Sequence, residues 1–576
     1  LPTAGLHVAV AKRSSMPRPN RLTRLASSSL RRSFSSATVN RRRRLDATST
    51  LRDFLPRETT NDTDDLLPPY LTSSQLDGNG KQVWIETYGC QMNVADTEVV
   101  HAVLKGANYS AASDPSDADV VLLNTCAIRE NAEQKIWDRL RAIRAGRRKA
   151  RQGWRKRGEL APPRGPVVGL LGCMGERLKG KLLEEDQLVD VVCGPDAYRS
   201  LPRLLATAQS GQPALDVQLS LDETYADVAP VREGSDGISA FVSIMRGCTN
   251  MCSYCIVPHT RGRERSRPAS SIAVEVARLA SEGYREVTLL GQNVNSYADG
   301  GQGSDADVAV EHLVPASLRE GFTPMVPPPK YATMRFAGLM EMLASAHPEM
   351  RFRFTSPHPK DFPDELLDVI ASFPNACASL HIPAQSGSTK VLQNMRRGYS
   401  RETYLRLIDR VREVLPNVAL SSDFISGFCG ETEADHLETL TLLEQVRFDK
   451  AFMFAYSLRE KTHAHRKLVD DVPEETKQRR LREVIDTFTR GAKAANEEEV
   501  GKLHHVLLES ISKKSDEEWV GRTDTNKKVV VGRADANVGP GDFVAVKVTQ
   551  ALSHNTLRGE AVARCGVEAF ARGEWG

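Results

Sequence analysis

Three apolar runs early in the chain each stop at a cysteine: "VWIETYGC" at Cys90, "ADVVLLNTC" at Cys126 and "GPVVGLLGC" at Cys173. Each is short and rich in Val, Leu and Ile, and each reads as a buried strand. A fourth run, "QLVDVVCG", ends near Cys193. Helical spacing follows the first run in "NVADTEVVHAVLKGA", with Asp96 near its start. Strands alternating with helices predict an α/β domain over residues 81–200, built on a parallel sheet with helices on both faces. Ligands of such sheets gather at the carboxyl ends of the strands. Neighbouring strand ends lie about 5–10 Å apart, so Cys90, Cys126 and Cys173 can share one ligand. Three independent buried cysteines are the plain alternative, and Cys193 is an internal control for it.

The chain has 576 residues, too many for one hydrophobic core, and about three folded units are expected. No run of about 18 apolar residues is present to span a membrane. The formal net charge of +3 selects no partner, but its distribution is uneven. Residues 1–45 hold no Asp or Glu and are rich in Arg and Ser, as in a mitochondrial or plastid transit peptide. "RRSFSS" (Arg31 to Ser36) resembles a processing site, and a disordered basic tail is the other reading. The first residue is Leu1, and a cytosolic or nuclear form started at Met16 stays open. Residues 46–80 and 201–237 read as linkers. The basic run "RAIRAGRRKARQGWRKRGELAPPRGP" reads equally as a solvated segment or a nucleic-acid contact.

Residues 238–490 alternate strand-like and helical runs again. "FVSIMRGC", "EVTLLGQNV", "RFRFTSPHP", "ASLHIPAQS", "ALSSDFISGF" and "KAFMFAYS" are the strands. About six βα units predict a partial or full TIM-like βα barrel. Residues 299–331 lack periodicity and read as a surface insertion. Residues 501–567 change to short alternating strands, which predicts a small antiparallel β-barrel.

The loop after the first barrel strand reads "GCTNMCSYCIVPHT", with Cys248, Cys252 and Cys255 in a Cx3Cx2C spacing. A Cys3His zinc site using His259 is one reading, although Pro258 stiffens the approach and no second CxxC follows. An iron–sulfur cubane is the other, with one iron left open to an added ligand. A reducing compartment makes a disulfide framework among the ten cysteines an unsuitable reading.

Cx3Cx2C after the first strand of a βα barrel resembles the radical S-adenosylmethionine (SAM) enzymes. The distant trio narrows this. "ETYGCQMN", "LLNTCAIRENAEQKI", "LLGCMGER", "GCTNMCSYCIVPHTRGRERSR", "LLGQNVNSY", "FTSPHPKDFPDEL", "LHIPAQSGS", "MRRGYSRE" and "FAYSLREKT" are similar to MiaB-type tRNA methylthiotransferases over about residues 82–565. In that resemblance the last unit is TRAM-like. Cys429 stands where bacterial members usually carry proline, and with the insertion and presequence this points to the eukaryotic organellar branch. That branch was first described as a binding partner of a cyclin-dependent-kinase activator.

The resemblance implies two [4Fe-4S] clusters, an auxiliary one on Cys90, Cys126 and Cys173 and a radical SAM one on Cys248, Cys252 and Cys255. It implies methylthiolation of carbon 2 of an N6-isopentenyladenosine beside the anticodon of a transfer RNA, with SAM used twice. An electron donor of reductase or ferredoxin type and a kinase-regulator partner follow from it, and a mitochondrial matrix location fits the presequence. Gly291, Gln292 and Asn293 follow a barrel strand and are candidates to line the SAM site, a plain turn being the alternative. "DFISGFCGE" approximates the family's glycine strand but departs from its spacing, which leaves Gly427 and Glu431 as weaker candidates. Lys513, Lys514, Arg522, Lys527, Lys528 and Arg558 supply charge for RNA on the last barrel. Arg261, Arg263 and Arg265 would share one side if extended, to meet phosphate or solvent. His358, His381 and Gln385 stand at strand ends without assigned roles, and Cys377 and Cys565 read as structural. Two other readings stay open: a methylthiotransferase for threonylcarbamoyl-adenosine or a ribosomal-protein aspartate, and a non-enzymatic scaffold for RNA or a kinase regulator.

Overall fold

A computed structural model describes residues 71–127, 130–157, 165–179, 188–300, 314–315, 319–533 and 538–574. The expected transit peptide and most of the first linker lie outside them.

The first domain is a six-stranded parallel sheet. Its strands are β1 (Gln82–Thr87), β2 (Ser110–Ala111), β3 (Val120–Thr125), β4 (Val167–Gly172), β5 (Val191–Cys193) and β6 (Ala214–Asp216), in the order β2-β1-β3-β4-β5-β6. Side chains alternate between two apolar layers. Val120, Leu122 and Leu171 meet Leu104 and Leu201 on one face. Val121, Leu123 and Leu170 meet Ile136 and Leu140 on the other. Each such buried Leu or Val contributes about 1.5–3 kcal/mol, and both faces are covered, which is why β3 is apolar without alternation. Helix α1 (Gln91–Gly106) carries the chain from β1 to the edge strand β2, and the chain then returns to β3 on the far side of β1. The reversal creates a switch point between β1 and β3, where sheets of this order form their ligand crevice. Helix α2 (Glu130–Arg157) continues through most of the basic run.

The central domain is built on six parallel strands among the described residues: β7 (Ser239–Ser243), β8 (Glu286–Leu290), β9 (Arg351–Phe354), β10 (Ser379–His381), β11 (Ala419–Ser426) and β12 (Lys450–Ala455). β7, β8 and β9 pair in parallel, as do β10, β11 and β12. A parallel bridge from Phe352 to Ala376 joins the two sets just ahead of β10. Among the described residues no pairing joins β12 back to β7, so the barrel is partial. Part of the insertion forms two small antiparallel pairs, Ala298–Asp299 with Met334–Arg335 and Val314–Pro315 with Tyr331–Ala332.

The last unit is a closed five-stranded barrel of β13 (Leu503–Ser512), β14 (Ser515–Thr523), β15 (Lys528–Gly532), β16 (Phe543–Ser553) and β17 (Thr556–Arg564), in the order β13-β14-β15-β17-β16. It departs from the antiparallel expectation at one seam, where β15 and β17 run parallel. Val506, Leu508, Val529, Val531 and Val544 fill it. Two buried arginines of β9 dock it: Arg351 donates to the His505 carbonyl at 2.6 Å, and Arg353 to the Thr523 carbonyl at 2.7 Å. Lys527 pairs with Asp449, just before β12, at 2.7 Å. The barrel therefore meets the core at the amino-terminal ends of its strands.

Candidate iron–sulfur and cofactor site

Cys90 immediately precedes α1, Cys126 follows β3, and Cys173 opens helix α3 (Cys173–Leu178) directly after β4. The three strands are neighbours, so the three thiols gather at the β1/β3 switch point and its flank. A hydrogen bond between the Cys126 and Cys90 sulfurs, with the charge of Arg261 nearby, brings the Cys90 pKa down to about 6. Gly89 permits this approach: its φ is +117°, and a Cβ there would lie 2.4 Å from the Cys126 Cβ. Burial raises the Cys173 thiol, partly offset by Arg261. Cys193 stays out of this group. It sits in the apolar layer with Tyr198 and Leu205, and its thiol faces the Gly194 carbonyl at 3.6 Å.

The second trio lies on the loop after β7. Gly247 starts it at φ +76°, where a Cβ would stand 2.0 Å from the Arg263 carbonyl oxygen. The Cys248 N–H donates to the Gly262 carbonyl at 3.1 Å and the Cys255 N–H to the Cys252 carbonyl at 3.1 Å, which curls the loop. Arg397 crosses from the far side of the barrel and donates to the Cys252 sulfur at 3.3 Å and to the Pro383 carbonyl at 3.1 Å. Burial pushes the Cys255 thiol up to about 12 and Cys248 well above the usual thiol range. His259 belongs to the short helix Val257–Thr260, with Lys461 and Arg466 as charged neighbours, and does not complete a Cys3His set.

Both donor sets are thiol-only, with two buried cysteines and one partly buried in each, which suits iron–sulfur ligation. Among the described residues no three of His, Cys, Asp and Glu stand close enough to grip a single ion. A multi-iron cluster spreads its ligands over separate metal atoms, so this does not conflict with the donor sets.

A buried charge network joins the two trios. Asp96 on α1 accepts from Arg246 at 2.8 Å and from Arg261 at 2.7 Å. Those arginines flank the Cys248–Cys255 loop. The reading of Arg261, Arg263 and Arg265 as one open side is overturned. Arg261 ends a helical turn and Gly262 has φ +72°, so the chain is not extended there. Arg261 and Arg265 are buried against Asp96 and Asp196, and only Arg263 of the three is exposed.

The other candidates fall as follows. Gln292 accepts from the Gly247 N–H at 2.5 Å, and Gly291 lies against Met245. Asn293 is buried, donating to Asp361 at 2.8 Å and accepting from the His358 N–H at 2.8 Å. Glu431 accepts from the Gly427 N–H at 3.1 Å and pairs with Arg480 at 3.0 Å, and Gly427 lies against Lys477, which lines the cavity described next. His381 contacts Ser421 at 3.0 Å, and Gln385 lines the cavity described next. Cys377 and Cys565 are buried. On the last barrel Lys513, Lys514 and Lys528 are exposed. Arg522 and Arg558 are half-exposed in pairs with Glu509 and Glu518. Lys527 is held inside the domain contact by Asp449 and Asn496. Sequence reasoning assigned no role to Asp96, Arg246 or Arg397. Arg397 lies in the "MRRGYSRE" run and Arg246 in "FVSIMRGC", but neither run shows its partner; Asp96 and Arg246 are 150 residues apart.

A cavity of about 930 Å³ opens at the carboxyl ends of β11 and β12. Ile425, Met453 and Tyr456 wall it from the strands, Tyr254 and Cys255 from the second trio's loop, and Tyr88 and Gly89 from the first trio's. Lys135 and Arg459 also line it.

Residues 82–194 match the family described as uncharacterized protein family UPF0004, residues 242–443 the radical SAM superfamily, and residues 497–562 the TRAM domain. Fold and loop cysteines together define a radical SAM enzyme with an α/β domain ahead of its core and a TRAM barrel behind it. Mitochondrial tRNA methylthiotransferase CDK5RAP1 of Mus musculus is 51% identical over 510 residues, covering 86% of this chain and 84% of that protein. The Homo sapiens protein of that name is 49% identical over 553 residues, covering 90% and 89%. The tRNA-2-methylthio-N(6)-dimethylallyladenosine synthase of Chloroherpeton thalassium is 47% identical over 481 residues, covering 84% and 96%. The chain belongs to the MiaB-type radical SAM tRNA methylthiotransferases, in the branch of the CDK5RAP1 proteins.

Proposed function

We propose that this enzyme methylthiolates carbon 2 of an N6-isopentenyladenosine beside the anticodon of mitochondrial transfer RNA. The observation that carries the reading is one cavity lined by Cys255 from the second trio and by Tyr88 and Gly89, the residues just before Cys90 of the first. Hydrogen removal and sulfur delivery occur at the same carbon, so both sites must reach one bound base. Carbon 2 of adenine carries no acidic proton, and acid–base side chains alone are a poor route to it. When bound, a radical-site cluster with SAM supplies one-electron hydrogen abstraction, and an auxiliary cluster supplies the methylated sulfur.

The chain's own residues supply position. Cys248, Cys252 and Cys255 would hold the first cluster, with Gly247 and Gln292 fixing the loop. Cys90, Cys126 and Cys173 would hold the second. Ile425, Met453 and Tyr456 offer apolar contact to the base and its isopentenyl group, while Lys135 and Arg459 offer charge to phosphate. The TRAM barrel lies at the opposite rim, about 20 Å away along the strands. An anticodon arm can span that distance, with its stem near Lys513, Lys514 and Lys528 and its loop at the cavity.

The dimethylallyladenosine named for the bacterial relative supports the isopentenyl substrate over threonylcarbamoyl-adenosine. The names of the mammalian relatives support a mitochondrial site. An electron donor of reductase or ferredoxin type completes the reaction's requirements. In a knockout, mitochondrial tRNA should lose the 2-methylthio group and keep the isopentenyl group. Persistence of the methylthio group would refute the substrate. Iron analysis after anaerobic reconstitution separates the enzyme from a scaffold, and about four irons per chain or fewer, the content of one cluster, would sink the two-cluster reading.

A further inference from the structure

Arg261 is carried by the segment that follows the radical-site loop, yet it serves the other trio. Its Nε–H donates to the Cys173 sulfur at 3.2 Å. Its Nη2 donates to Asn93 at 3.2 Å and to Asp96 at 2.7 Å. Its Nη1 is buried and has no hydrogen-bond partner among the described residues. Asp96 is fully buried, and its second oxygen holds Arg246, beside Gly247. The guanidinium is thus fixed by groups of the α/β domain, within reach of that domain's cysteines, with a donor to spare.

We infer that Arg261 is a positioning residue of the auxiliary site, giving a fixed positive charge and N–H donors to the sulfur-rich group that Cys90, Cys126 and Cys173 would hold. The inference rests on the two-cluster reading above. Hydrogen bonds to cluster sulfur and a nearby cation favour the more negative, reduced form and raise the reduction potential. The α/β domain alone lacks this charge, so the auxiliary site is complete only with the radical core docked against it. Arg397 stands in the same relation to Cys252 of the other trio and is the natural control.

The test uses the full chain with Cys248, Cys252 and Cys255 each changed to Ala, reconstituted anaerobically so that iron is held by the auxiliary trio alone. Arg261→Gln, Arg261→Lys and Arg397→Gln are added to this background. Iron content is measured, followed by the reduction potential in a titration monitored by electron paramagnetic resonance. Arg261→Gln should shift the potential in the negative direction. Arg261→Lys keeps the charge but loses the planar fork, and should shift it less. Arg397→Gln should leave it unmoved. An unmoved potential in Arg261→Gln, or an equal shift in Arg397→Gln, overturns the inference. If Arg261→Gln does not fold, Arg261→Lys decides alone: a potential equal to the parent's overturns it. A parent variant that takes up no iron overturns the two-cluster reading, and this inference with it; iron with an unmoved potential overturns the inference alone.

Discussion

Asp96→Asn is the sharpest perturbation of the contact between the two cysteine sites. Asp96 is fully buried and shared by Arg246 at 2.8 Å and Arg261 at 2.7 Å. Burial acts to raise its carboxyl, but Arg261 and then Arg246 hold it below the ordinary carboxylate range. Asn keeps the shape and one acceptor while removing the counter-charge that the two buried guanidiniums share. Removing one partner of a buried pair costs about 3–5 kcal/mol. Arg246 retains Glu223 at 3.8 Å and the Tyr225 ring at 4.6 Å, so the loss should stay within that range rather than double. With a urea slope of about 2 kcal/mol/M, a loss of about 3 kcal/mol moves the midpoint by about 1.5 M. The assay is urea unfolding of the cluster-free chain at neutral pH, followed by tryptophan fluorescence, with Trp84 on β1 and Trp137 on α2 as reporters. The pH dependence has a fixed sign. A carboxyl depressed in the folded state contributes fully above its unfolded value, about pH 4, and its contribution goes as pH falls through the folded value. The Asn variant should lack that part of the acid loss. A midpoint shift under about 0.5 M, equivalent to the roughly 1 kcal/mol of a solvent-exposed pair, would refute the reasoning.

Two glycine changes should separate the sites. Gly247→Ala forces a Cβ to 2.0 Å from the Arg263 carbonyl, and should remove the radical-site iron while the auxiliary iron stays. Gly89→Ala, with a Cβ 2.4 Å from that of Cys126, should do the reverse; iron counts in each variant check both. On the TRAM barrel, Lys513→Ala with Lys514→Ala should weaken tRNA binding and lower the salt slope by up to about 1.5, read by filter binding across salt concentrations. Lys527→Ala should instead lower the thermal midpoint and leave that slope unchanged, because Lys527 is spent on Asp449 and Asn496.

The four inner strands of the α/β sheet, the six barrel strands and the terminal barrel are legible because each rests on local patterning; the short edge strand β2 is not, and the helix Leu201–Gln209 and edge strand β6 stand where residues 201–237 read as a linker. Val120–Leu123 is uniformly apolar since both faces of β3 are covered, and that is written in four adjacent residues. The parallel seam between β15 and β17 was not legible, since local alternation carries no information about strand direction. Arg261 and Arg265 misled for a similar reason. Their spacing looked like an open alternating strand, and only the turn at Gly262 and the distant acids Asp96 and Asp196 show why they are buried.

The sequence by itself determined which atoms the enzyme has for its chemistry: two sets of three thiols, each at the end of a strand. Local hydrophobic periodicity sets strand ends, and a cysteine at a strand end stays there whatever surrounds it. The tertiary structure alone decided that the loops carrying Cys90 and Cys255 line one cavity and that Asp96 ties the two sets through Arg246 and Arg261. A pairing of buried charges is a property of closed space. It forms because neither the carboxylate nor the guanidiniums can be left dry without the other, and nothing in the residues adjacent to Asp96 says which arginines will arrive.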